Sequence, residues 1–91
     1  MINGDPHEFL EHIYSGQDTP YKFEGEKYWF QGFNVEKGFY MEIFRCSPPY
    51  DYLWKYTGNS PLECMEEFQS VPIFNGKSFW EVEKDIEWVD D

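Results

Sequence analysis

Two short stretches hold residue types that could do chemistry. The first is "HEFLEH", residues 7–12. A zinc-binding helix of the HExxH type needs two histidines four apart, so that both project from one face, with the glutamate as general base. Here His7 and His12 are five apart, about 140° around a helix, and position 11 is Glu11. The remaining pairs, His7 with Glu11 and Glu8 with His12, have the ordinary spacing of helix-surface partners. No metal site is assigned. The second is "NGKS", residues 75–78, which matches the end of a phosphate-binding loop. The full motif requires a glycine where this chain has Val71, and Pro72, Ile73 and Phe74 are bulky where small residues let backbone N–H groups wrap phosphate. Gly76 and Ser78 are read instead as a turn and a helix cap. No nucleophile–base pair stands out among the many carboxylates. The sequence therefore assigns no catalytic residue, no metal ligand and no cofactor, and the expectation is a protein that is not an enzyme.

Charge carries more information. The chain of 91 residues has a formal net charge of −11. Residues 1–19 hold four acids and neither Lys nor Arg. Residues 20–45 balance four of each sign. Residues 46–91 set three lysines against ten acids. Phosphate contacts need clustered Lys and Arg, so direct nucleic-acid binding is excluded. A strongly acidic surface serves solubility and also attracts basic partners.

The elements that must position these charges are marked by local grammar. Asp5-Pro6-His7-Glu8 and Ser60-Pro61-Leu62-Glu63 each place a cap, a proline at the first helical position and a glutamate at the third; Ser78 to Glu81 repeats the cap and the glutamate. The first helix is expected from about Pro6 to Ser15, stopped by Gly16. Phe9, Leu10, Ile13 and Tyr14 form its apolar arc. The second helix is expected from about Pro61 to Gln69, with Leu62, Cys64, Met65 and Phe68 inward and Glu63, Glu66 and Glu67 outward. Between them the chain is rich in strand formers, with turns expected at Gly25 and at Asn34–Lys37. In "YDYLWKY", after Pro48-Pro49, alternation puts Tyr50, Tyr52, Trp54 and Tyr56 on one face.

The closing segment, "GKSFWEVEKDIEWVDD", supports two readings. Acids at every second position from Glu81 to Glu87 alternate with apolar residues, as in a strand. The Ser78–Glu81 cap and the Glu, Lys and Asp content favour a helix. "NG" at 75–76 also suits a hairpin turn. The helix reading is adopted for residues 78–88. On it, Trp80, Lys84 and Trp88 fall off the apolar stripe at i, i+4 and i+8. Three roles fit those indoles: flanking the lysine cation, roofing a neighbouring element, or forming a contact surface.

The chain is expected to form a single α+β domain, residues 1–91: an antiparallel meander sheet of three to four strands, with an N-terminal helix and two C-terminal helices packed on one face. The helix–strands–helix order is similar to that of double-stranded RNA-binding domains, but their surface is basic and this one is acidic, so the likeness is one of topology only. Nine Phe, seven Tyr and four Trp exceed what so short a chain readily hides, so some aromatics should be exposed and a weak homodimer is one consequence. Cys46 and Cys64 are too few for a disulfide scaffold or a four-cysteine zinc site. The N-terminal residues have neither the basic nor the apolar region of a signal peptide, no run approaches the length of a membrane span, and a cytoplasmic location is expected. The functional expectation is a small non-enzymatic module that docks a basic protein partner, as an inhibitor, an immunity or antitoxin-like protein, or a mimic of nucleic-acid charge. The candidate partner-binding residues are Glu63, Glu66, Glu67, Trp80, Glu83, Glu87 and Trp88. The alternative is a ligand-binding or enzymatic domain that stacks its ligand on Tyr50, Tyr52, Trp54 and Tyr56.

Overall fold

The structure, a computed structural model, describes residues 1–89. Two acids of the closing segment, Asp90 and Asp91, lie outside the described residues. The elements run α1 (Pro6–Ser15), β1 (Thr19–Phe23), β2 (Glu26–Val35), β3 (Gly38–Arg45), β4 (Tyr52–Gly58), α2 (Pro61–Ser70), α3 (Phe79–Val82), a 3-10 turn (Glu83–Asp85) and β5 (Ile86–Trp88). Five strands form one antiparallel sheet in the order β4-β3-β2-β1-β5. The α+β class and the helix-covered sheet agree with expectation; the strand count does not, because β5 joins the sheet.

Local chemistry explains the ends of the elements. The Asp5 carboxylate accepts the His7 N–H at 2.9 Å, and Pro6 opens α1. Gly16 closes α1 in the left-handed region, at φ 72°, with its N–H and that of Gln17 on the carbonyls of Ile13 and His12. The Ser60 hydroxyl accepts the Glu63 N–H at 3.2 Å at the start of α2. Two-residue turns with both residues at positive φ form at Glu24-Gly25 and Asn75-Gly76. The first joins β1 to β2, and the second closes only a single bridge, Phe74 to Lys77. Gly38 is required by a close approach: a Cβ there would stand 2.1 Å from the Gly58 carbonyl oxygen.

The helices pack on one sheet face. Thr19, Tyr21, Phe23, Phe30, Phe39, Met41, Ile43 and Trp54 point into that layer and are buried. Phe68 of α2 is the hub, with its ring near those of Phe9, Trp54, Phe74 and Phe79 at centroid distances of 5.5–6.4 Å. Contacts of this kind are worth about 0.5–1.5 kcal/mol each beyond the area they bury. Cys64 is buried beneath α2, its thiol donating to the Phe39 carbonyl, and burial pushes its pKa up. Neither Cys64 nor half-buried Cys46 is in a disulfide. Among the described residues no helix is long and apolar enough to cross a membrane.

The expected helix over residues 78–88 is corrected. It starts as expected, with the Glu81 carboxylate accepting the Ser78 N–H at 2.9 Å, and those bonds hold Glu81 below its usual pKa. It ends at Val82. After the 3-10 turn the chain extends, and Ile86, Glu87 and Trp88 pair with Phe23, Lys22 and Tyr21 of β1. The bare edge of β1 offers a ladder of backbone hydrogen bonds and a place for Ile86 in the core, and this outweighs the local helix preference of Glu, Lys and Asp.

Candidate partner-binding groove

On the outer surface of the helix layer, α1 and α2 lie side by side and α3 crosses their ends. They leave a groove of about 620 Å³. Leu10 and Tyr14 line it from α1, Leu62 and Met65 from α2, and Trp80 from α3. Three of these are large and exposed: Leu62 at 50%, Tyr14 at 47% and Trp80 at 43%. The Trp80 indole is fixed in place. Its Nε1 donates to Gln69 Oε1 at 2.8 Å, and its ring lies 5.5 Å from the His7 imidazole. Glu11 is the one acid in the lining and no Lys or Arg joins it. Glu66, also exposed, stands one helical turn from Leu62.

The expected partner-binding set is divided by this geometry. Trp80 lies in the groove and Glu66 flanks it. Glu63 and Glu67 turn toward β4, where burial, and then the two carboxylates, raise the Tyr56 pKa. Glu63 is also occupied, accepting the Asn59 N–H at 2.7 Å. Glu83 pairs at 2.8 Å with the Met1 ammonium. Glu87 sits on the opposite side of β5 from Trp88, across from Lys22, and accepts from Asn3 at 3.4 Å. Trp88 is half-buried against Phe9 and His12, at 5.4 and 4.8 Å. Trp80 and Trp88 therefore share no face, because the helix that would have aligned them stops between them.

The alternative set is divided too. Ile43 faces Trp54 but Phe44 faces Tyr52, so Leu53 is an extra residue in β4. Beyond this bulge the alternation shifts. Trp54 and Tyr56 stack on each other in the helix layer at 6.0 Å, while Tyr52 turns to the open sheet face with its ring 6.0 Å from Phe44. Tyr50 precedes the strand at φ 58°. The open face instead gathers Tyr52 with Trp29, Phe33, Tyr40 and Phe44 around Glu42. Glu42 is only 8% exposed, and its carboxylate accepts from Gln31 Nε2 at 2.6 Å and the Tyr40 hydroxyl at 2.7 Å.

Leu62 and Tyr14 were legible as apolar but were assigned inward. The available signal was the width of each arc. At about 100° per residue, the apolar positions of α2 span about 160° and those of α1 about 140°, wider than a single sheet-facing stripe of about 100°. One end of each arc, Tyr14 in α1 and Leu62 in α2, is left lining the groove, while the other ends, Phe9 and Cys64, are buried. Comparison with family models, curated proteins and solved structures finds no match for this chain.

Proposed function

We propose that the protein is a non-enzymatic binding module that docks a basic, amphipathic segment of another protein in the groove between α1 and α2. The observation that carries this reading is the convergence of three exposed apolar side chains, Tyr14, Leu62 and Trp80, on a groove whose charged lining is acidic, in a chain of net charge −11. An apolar groove accepts residues spaced i, i+3, i+4 and i+7 on a helix, and flanking acids select Lys and Arg on that helix's sides. Trp80 is the anchor, since its hydrogen bond to Gln69 holds the indole without burying it. Stacking a ligand on the Tyr50–Tyr56 series has less support, because Trp54 and Tyr56 are turned into the helix layer.

The test is affinity capture from the source cells with wild type, Leu62→Asp and Trp80→Ala, each first shown to melt like wild type. A basic protein held by wild type, weakened at least about tenfold by either variant and released by high salt, is the expected result. Capture of nothing, or of a partner indifferent to both variants, overturns the reading.

A further inference from the structure

The two helices that wall the groove are written in one pattern. Laid over each other from their caps, Asp5 and Ser60, they match Pro6 with Pro61, Glu8 with Glu63 and Glu11 with Glu66. The buried positions match too, Phe9 and Ile13 with Cys64 and Phe68. The helices run in opposite directions, since Trp80 meets His7 near the start of α1 and Gln69 near the end of α2. Equivalent faces set antiparallel make two walls related by an approximate twofold axis. Each wall is one heptad long, from His7 to Tyr14 and from Leu62 to Gln69. At 1.5 Å per residue that is about 10 Å. Glu11 lies about 180° around α1 from the mean of Phe9 and Ile13, and Glu66 about 180° around α2 from the mean of Cys64 and Phe68. One exposed carboxylate therefore tops each wall, at the same place in the pattern.

We infer that the segment docked here is a single heptad of helix with a cation on each flank. Apolar side chains at i, i+3 and i+7 enter the groove and span the same length as its walls. Lys or Arg at i+4 and i+6 lie on opposite sides of that seam, and each meets one of the two acids, Glu11 or Glu66. Turning the docked helix end for end exchanges the two contacts, so the groove selects this pattern rather than a direction. Trp80 lines one end of the groove, and a longer helix gains little by running past it. The inference rests on the docking reading above and adds the length and charge pattern of what is docked.

The probe is an acetylated, amidated peptide of about 14 residues, held helical by a lactam on its outer face because a free helix this short is marginal in water. It carries Leu at i, i+3 and i+7 and Lys at i+4 and i+6, and calorimetry at low salt reads its Kd for the full chain. Moving both lysines to the outer face keeps the net charge and should weaken binding about tenfold. Glu11→Gln and Glu66→Gln should each weaken the first peptide about threefold and together about tenfold, and leave the second peptide unchanged. A further heptad should improve binding by less than about threefold. Equal binding of the two lysine arrangements, a double variant that binds like wild type, or a large gain from the further heptad overturns the proposal. In those cases loss of peptide binding in Leu62→Asp still upholds the groove, whereas binding that survives Leu62→Asp overturns the docking reading itself. No saturable binding of the first peptide also overturns the proposal, and the capture experiment then decides the docking reading alone.

Discussion

Glu42 is the one charged residue among the described residues that is buried, and its environment explains why it is tolerated. Each carboxylate oxygen has a donor, from Gln31 on one side and Tyr40 on the other. Tyr40→Phe strips one donor and leaves a buried charge partly unpaired, at an expected cost of about 1–3 kcal/mol in urea denaturation at neutral pH. A variant as stable as wild type would show that the Tyr40 bond contributes nothing. The same pair sets an alkaline limit. Burial, and next to it the Glu42 carboxylate, push the Tyr40 hydroxyl from 10.0 to about 12. The folded protein thus holds a proton that the unfolded chain gives up earlier. The stabilisation is complete below pH 10 and is lost as pH rises from about 10 to about 12. Melting temperatures across that window should fall more steeply for wild type than for Tyr40→Phe. Alternation alone puts Tyr40 and Phe44 together on the face opposite Phe39, Met41 and Ile43. It did not show that Glu42, on the same side, would be enclosed, because the enclosing Gln31 comes from another strand.

At the scale of elements, the two tryptophans of the closing segment now have different jobs. Trp88 sits in a strand and packs on Phe9 and His12, so Trp88→Ala should lower stability by about 2–4 kcal/mol, less than a fully buried ring would cost. Trp80, exposed on α3, should be removable with little change in melting. Equal melting losses for both would contradict this division. What was readable beforehand follows the same boundary between local and distant causes. Asp5-Pro6, Gly16, Ser60-Pro61 and Glu24-Gly25 act on backbone within a few residues, and α1 begins and ends, and α2 begins, where those signals put them. The fate of Ile86–Trp88 depends on β1, more than sixty residues away, and the turn of Trp54 and Tyr56 depends on a slip against Ile43 and Phe44. Neither partner is visible from within the segment itself. Of the candidate site, Trp80 and Glu66 were found, while Leu62 and Tyr14 were hidden among core residues of the same type.

For the whole molecule, two surfaces compete as contacts, and ionic strength separates them. The open sheet face shows Phe33 and Tyr52 beside half-buried Trp29, Tyr40 and Phe44. We expect copies to pair weakly through it. Two chains of net charge −11 repel, and the Debye length falls from about 10 Å at 0.1 M salt to about 3 Å at 1 M. Self-association should therefore strengthen with salt, while docking of a basic partner weakens. Sedimentation that finds only monomer at high concentration in both low and high salt would remove the sheet face as a contact. The strand order also bears on how the chain is made. During synthesis β1 to β4 can close as successive hairpins, but β1 keeps a bare outer edge, with Tyr21 and Phe23 beside it, until Ile86–Trp88 emerges. That later strand then lies between β1 and Ile2, both made well before it. Until residues 86–88 emerge, that edge can template stray strands, and a ribosome stalled shortly before residue 86 would release a meander with its edge unsealed.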